Sequence, residues 1–120
     1  MNRRMARLNG LFREELSDLI RDLRDPRMAA IVSITSVDIS PDLETSLIKV
    51  SVFGEDQEKR DTIEALTHAT PHLRRELLHR VRIRHIPQLH FVLDETIEEA
   101  AHVLELMRKV TPGKTDKTDR

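Results

Sequence analysis

Apolar residues change their spacing along this chain from a helical period to a strand period and back, twice over, and that order restricts the fold more than any single motif does. Met5, Leu8, Phe12, Leu16, Leu19 and Leu23 recur at steps of three and four, which predicts an amphipathic helix over residues 3–24. Asp25-Pro26 closes it, because proline disfavours the α conformation in the residue before it. Gly10 lies inside this helix at a cost of roughly 1 kcal/mol against alanine, and the sequence shows no physical reason for it. Two runs rich in β-branched residues follow, "AAIVSITSVDIS" and "LETSLIKVSVF", separated by Pro41-Asp42. In the second, Ile48, Val50 and Val52 alternate with Lys49, Ser51 and Phe53, so residues 31–53 read as a β-hairpin whose second strand is half-buried.

From Gln57 the helical period returns, with Ile63, Leu66, Thr70, Leu73 and Leu77 on one stripe. Pro71 interrupts that stripe without ending it. A proline inside a helix removes one ladder hydrogen bond and clashes with the preceding turn, yet it is tolerated in a first turn. Two helices meeting at a kink, with Pro71 opening the second, satisfy both facts. Leu89, Phe91 and Leu93 then alternate with His90 and Val92 as a third strand. Thr96 and Glu99 have capping-box spacing, and Ile97, Ala100, Ala101, Leu104 and Met107 follow at helical steps, which predicts a last helix to about Val110. Residues 111–120, "TPGKTDKTDR", carry no apolar period and are expected to be a disordered polar tail.

Helix, strand, strand, kinked helix pair, strand, helix is an α+β order, with a three-stranded sheet covered on one face by helices. The chain has 120 residues, enough for one core, and a single domain is expected over residues 1–110. No segment nears the roughly 18 to 20 consecutive apolar residues of a membrane helix, so a soluble, cytoplasmic protein without membrane contact is expected. The absence of cysteine excludes disulfides, thiolate zinc sites and a cysteine nucleophile.

The formal net charge of −1 hides a strong segregation. Residues 1–27 carry seven Arg against five acids, and residues 68–90 carry five Arg against Glu76. Residues 38–64 carry eight acids against three bases, and residues 91–110 carry five against two. Such polarity orients a protein on a polyanion by one face while the acidic remainder discourages indiscriminate binding.

Several short motifs in order resemble the ribosome-binding factor A family: Arg4, Arg7, Leu8 and Asn9 of "RMARLN"; "RDPR" (Arg24 to Arg27); "VDISPDL" (Val37 to Leu43); "HATPHLRREL" (His68 to Leu77); and "RIRHIPQLHFVLDET" (Arg82 to Thr96). The resemblance spans about residues 4–110. It implies a KH-like domain of the helix-first variety and a non-enzymatic factor that binds the small ribosomal subunit late in its assembly. It further implies help in maturing the ends of the subunit's rRNA, with most importance in the cold. The family lacks the GXXG loop of ordinary KH domains and has an Ala-x-Gly kink between two helices. This chain also lacks the loop, its glycines being Gly10, Gly54 and Gly113. At the kink Ala69, Thr70 and Pro71 stand in place of Ala-x-Gly, and Ser46 stands where the family usually has Ala.

Read as a binding surface, the arginines are the candidates. Arg80, Arg82 and Arg84 alternate with Val81 and Ile83; in an extended connector their guanidinium groups would project from one side. Arg74 and Arg75 precede them, and Arg3, Arg4 and Arg7 are possible additions. The alternative for Arg74 and Arg75 is pairing with acids nearby, and for Arg27 it is tying the first helix to the sheet. No Trp or Tyr is present, Phe12 and Phe91 fall on core stripes, and Phe53 ends a strand. Stacking of bases on aromatic rings is therefore not the expected mode, and recognition of folded rRNA by phosphates and shape is. His68 and His72 have helical metal-ligand spacing, but Pro71 breaks the face between them and the arginines repel a cation. No metal, other cofactor or catalytic residue is expected. The expected partners are the small ribosomal subunit, its rRNA and its proteins, met by a monomer. A protein–protein adaptor docking through the hairpin edge or the acidic middle segment is the competing reading.

Overall fold

The structure, a computed structural model, describes residues 3–95. The last helix expected over 96–110 and the tail at 111–120 lie outside the described residues. Helix α1 (Arg3–Arg21) leads into the hairpin strands β1 (Ile31–Ile39) and β2 (Thr45–Phe53); α2 (Asp56–His68) and α3 (Thr70–Arg80) follow, then β3 (Gln88–Leu93). β1 pairs antiparallel with β2, and β2 parallel with β3, in the order β1-β2-β3. The two helices between β2 and β3 make the crossover that a parallel pair requires. This is the helix-first KH arrangement expected from the order of elements.

Alternation in the strands decides which face is covered. Ser46, Ile48, Val50 and Val52 of β2 point into the core with Leu89 and Phe91 of β3, while Thr45, Leu47, Lys49 and Phe53 face out. Phe12, Leu16, Ile48, Leu66, Leu73 and Leu77 are wholly buried, each worth roughly 1.5–3 kcal/mol of transfer free energy against exposure. They come from α1, β2, α2 and α3, so one core joins the three described helices to one sheet face.

Helix α1 stops at Arg21, three residues short of the expected 24. Asp22 and Leu23 donate to the carbonyls of Leu19 and Ile20, the tightened i to i−3 pattern of a helix end. The unwinding lets Leu23 pack on the core and places Asp25 where it holds Arg27. Ser46 explains itself in the structure. Its buried hydroxyl donates to the Gln88 carbonyl at 2.8 Å, tying the middle strand to the first residue of β3.

A β-bulge that the sequence reading did not anticipate lies at Thr35, where the register passes from Ile34↔Val50 directly to Ser36↔Lys49. The extra residue shifts the parity of β1, so that Ile34, Val37 and Ile39 are all buried. Its signature was the spacing of three between Ile34 and Val37, where an unbroken strand would have two. The Thr35 hydroxyl donates to Asp94 Oδ2 at 2.6 Å, which fastens β1 to the residue just past β3.

Candidate nucleic-acid interface

At one end of the sheet, the first turns of α1, the β1–β2 turn and the connector after α3 enclose a cleft of about 560 Å3. Arg4 and Arg7 come from α1 and Arg82 from the connector, while Met5, Leu8, Leu11, Pro41, Leu43 and Ile83 supply an apolar lining. Among the described residues no acid lines it, and these three arginines form no ion pair. Segments more than seventy positions apart in sequence thus bring free guanidinium groups to one place. Guanidinium groups match phosphate oxygens in geometry and charge.

The cleft is held in shape by specific bonds. Asn9 is buried and accepts from the Ile39 N–H at 3.0 Å, pinning α1 to the end of β1. In the turn, the Ser40 hydroxyl donates to Asp42 Oδ1 at 2.6 Å, and the same oxygen accepts from the Glu44 N–H at 3.0 Å. These bonds hold the Asp42 carboxyl below its ordinary pKa and turn its charge into the loop. Leu43 has a φ of 62°, a left-handed conformation that costs a non-glycine residue on the order of 1–2 kcal/mol. The strain places the half-buried Leu43 side chain on the cleft and against the core.

Arg80, Arg82 and Arg84 are exposed and alternate with buried Val81 and half-buried Ile83, as the expected strip requires, but they do not lie on one strand and they differ in their partners. Arg80 is the last residue of α3, and its Nη1 lies 3.2 Å from Glu15 Oε1 of α1. The connector after it is bent at Val81, Arg84 and His85, so the three side chains do not share a strand. Arg82 turns to the cleft, while Arg84 is exposed and unpaired among the described residues. Arg74 is also committed to the fold: its Nη2 donates to the Ile86 carbonyl at 2.5 Å, and its Nε is buried without a partner among the described residues. Arg3 and Arg75 are exposed. Of the eight candidate arginines, the cleft gathers Arg4, Arg7 and Arg82. The sequence reading missed the apolar lining between them, although Leu8, Leu43 and Ile83 all lie within the motifs it had singled out.

The kink is built as the proline suggests. Ala69 caps the C-terminus of α2 and the N-terminus of α3 with φ −81° and ψ −4°, and Pro71 sits in the first turn of α3. The Thr70 hydroxyl donates to the Leu66 carbonyl at 3.2 Å, satisfying an acceptor that the helix end would leave open. Arg27 joins the chain after α1 to α2, not to the sheet. It donates to both carboxylate oxygens of Asp25, lies 3.7 Å from Glu64, and has Nη2 3.2 Å from His68 Nδ1. The Arg27 side-chain hydrogen bonds and backbone N–H hold the Asp25 carboxyl down at about 2. Among the described residues no group of His, Asp and Glu is placed to hold a metal ion.

A profile of the ribosome-binding factor A family matches residues 4–107. The chain belongs to that family. A ribosome-binding factor A of Clostridium kluyveri is 40% identical over 91% of both chains. One of Thermomicrobium roseum is 42% identical over 89% of this chain and 83% of its own. Among solved structures, a ribosome binding factor A of Thermotoga maritima superposes with a TM-score of 0.71 at 30% identity, covering 82% of this chain and 95% of that one. The crystal structure of ribosome-binding factor A from Thermus thermophilus gives 0.68 at 29% identity, covering 74% and 93%. A homology model of the Thermus thermophilus ribosome-binding factor A, as fitted into the cryo-electron microscopy map of a 30S complex with that factor, gives 0.59 at 28% identity, covering 79% and 96%.

Proposed function

We propose that this chain is a non-enzymatic assembly factor that binds the small ribosomal subunit through its rRNA and assists late maturation, including processing of the rRNA ends, in the cytoplasm where ribosomes are built. Membership of the family and the fitted complex of the Thermus relative support the choice of subunit. The observation that carries the mode of binding is the cleft: Arg4, Arg7 and Arg82 meet around it with no acid among the described residues of its lining. Arg3, beside Arg4 on α1, Arg84 in the connector and Arg75 on α3 are exposed as well. Contacts to phosphates draw their free energy largely from counterion release, which requires cations that are not already neutralised. These six meet that requirement; Arg80 is paired with Glu15, and Arg74 is held by the Ile86 carbonyl.

The competing adaptor reading has one observation in its favour. Ile31 and Phe53 are cross-strand partners at the far end of the hairpin and are 61% and 73% exposed, a small apolar patch open to another protein. Salt separates the two readings, because apolar docking depends weakly on ionic strength and phosphate contact steeply. The test is co-sedimentation with isolated small subunits and with intact ribosomes at low and high salt, for the natural chain and for a folded Arg4→Ala, Arg7→Ala, Arg82→Ala variant. Salt-sensitive binding to small subunits that the variant loses supports the RNA reading. Binding that is insensitive to salt and unchanged in the variant turns the assignment to the adaptor.

A further inference from the structure

Phosphate recognition alone has no use for an apolar floor. Leu8, Leu11, Leu43 and Ile83 pack on the core from below and remain half-exposed in the cleft, so a ligand that reached only the arginines would leave this surface in water. The volume, about 560 Å3, lies within the roughly 300–1,000 Å3 of small-molecule sites. Another cleft, about 440 Å3 between the end of α1 and β1, is lined by charges of both signs, Arg13, Arg21 and Asp25 among them, and shows no comparable match to an anion.

We infer that the cleft holds one unpaired nucleotide of the bound RNA, with its phosphate among Arg4, Arg7 and Arg82 and its base against Leu8, Leu43 and Ile83. This rests on the RNA reading and deepens it. A base within a duplex hides its faces in the stack and offers the protein only groove edges, phosphates and sugars. An extruded base presents two apolar faces, which is the surface this floor can cover. The aliphatic floor does for the base what aromatic rings do in single-strand readers, with less selectivity for its identity. Recognition by this cleft is therefore of an unpaired position in folded RNA, largely independent of sequence. The strained backbone of Leu43 fits the same reading, since it delivers an apolar side chain to a wall that a relaxed turn residue would leave open.

The experiment compares a fully paired RNA hairpin with the same hairpin carrying a single bulged nucleotide, by fluorescence anisotropy at several salt concentrations. The natural chain is expected to bind the bulged RNA roughly fivefold to tenfold more tightly, with the same salt slope for both. Leu43→Asn keeps the left-handed turn, because asparagine enters that conformation readily, and removes the apolar wall. It is expected to bind both hairpins at the level of the paired one, and Ile83→Thr to move in the same direction. Equal affinity of the natural chain for the two RNAs overturns the nucleotide assignment while leaving phosphate binding in place. If, in addition, intact small subunits bind Leu43→Asn less well, the cleft receives a protein side chain instead. No binding to either RNA, with the protein folded, overturns the RNA reading and the nucleotide site together.

Discussion

Replacing Arg74 by alanine should lower the stability of the domain by about 2 kcal/mol, the range of a hydrogen bond from a charged donor, and leave RNA affinity per folded molecule unchanged. Urea unfolding alongside a binding titration checks both halves. The expectation follows from its bond to the Ile86 carbonyl, which anchors the connector to α3 just ahead of β3. Asp25 gives a second test, with a definite sign. Its carboxyl is held at about 2 in the folded chain, below the roughly 3.9 of an unfolded aspartate. The stabilisation from its Arg27 pair is thus complete above about pH 4 and is lost as the pH falls towards 2. Asp25→Asn should be less stable than the natural chain at pH 6, with the gap closing in acid unfolding measured below pH 3. Charge is visible in a sequence and its consumption is not. Arg80 and Arg74 look free in the sequence because their partners, Glu15 and the Ile86 carbonyl, lie 65 and 12 positions away, and no local pattern announces either.

At the scale of elements, Gly10 in α1 is the position where propensity and structure disagree. It is exposed, and a Cβ placed there would meet nothing within 4 Å, so neither packing nor backbone strain calls for glycine. Gly10→Ala should therefore raise stability by about 1 kcal/mol, read as a higher midpoint in thermal unfolding. The element order, the hairpin, the kink at Pro71 and β3 were all legible in the sequence, because each rests on a period or on the fixed geometry of proline. The bulge at Thr35 was written only as one irregular spacing. The end of α1 depends on where Leu23 and Asp25 find partners, which lies outside α1 itself. The apolar lining of the cleft was visible residue by residue, but its assembly from α1, the turn and the connector required the tertiary fold.

At the scale of the molecule, the acidic run from Glu55 to Glu64 begins beyond Phe53, at the end of β2 remote from the cleft. Measured as log affinity against log salt, the variant lacking Arg4, Arg7 and Arg82 should lose about one unit of slope, the share of the single phosphate that the three arginines hold together. The parallel pairing of β2 with β3 also governs how the domain is put together in time. The hairpin closes between neighbours in sequence, whereas β3 must wait until α2 and α3 have carried the chain back across the sheet, a contact of long sequence separation that is slow to form. If the hairpin belongs to the folding nucleus and β3 docks late, Val37→Ala should slow refolding and Phe91→Ala should mainly accelerate unfolding, a difference that the two arms of a chevron plot resolve. The strand that completes the sheet would then be the first to leave it.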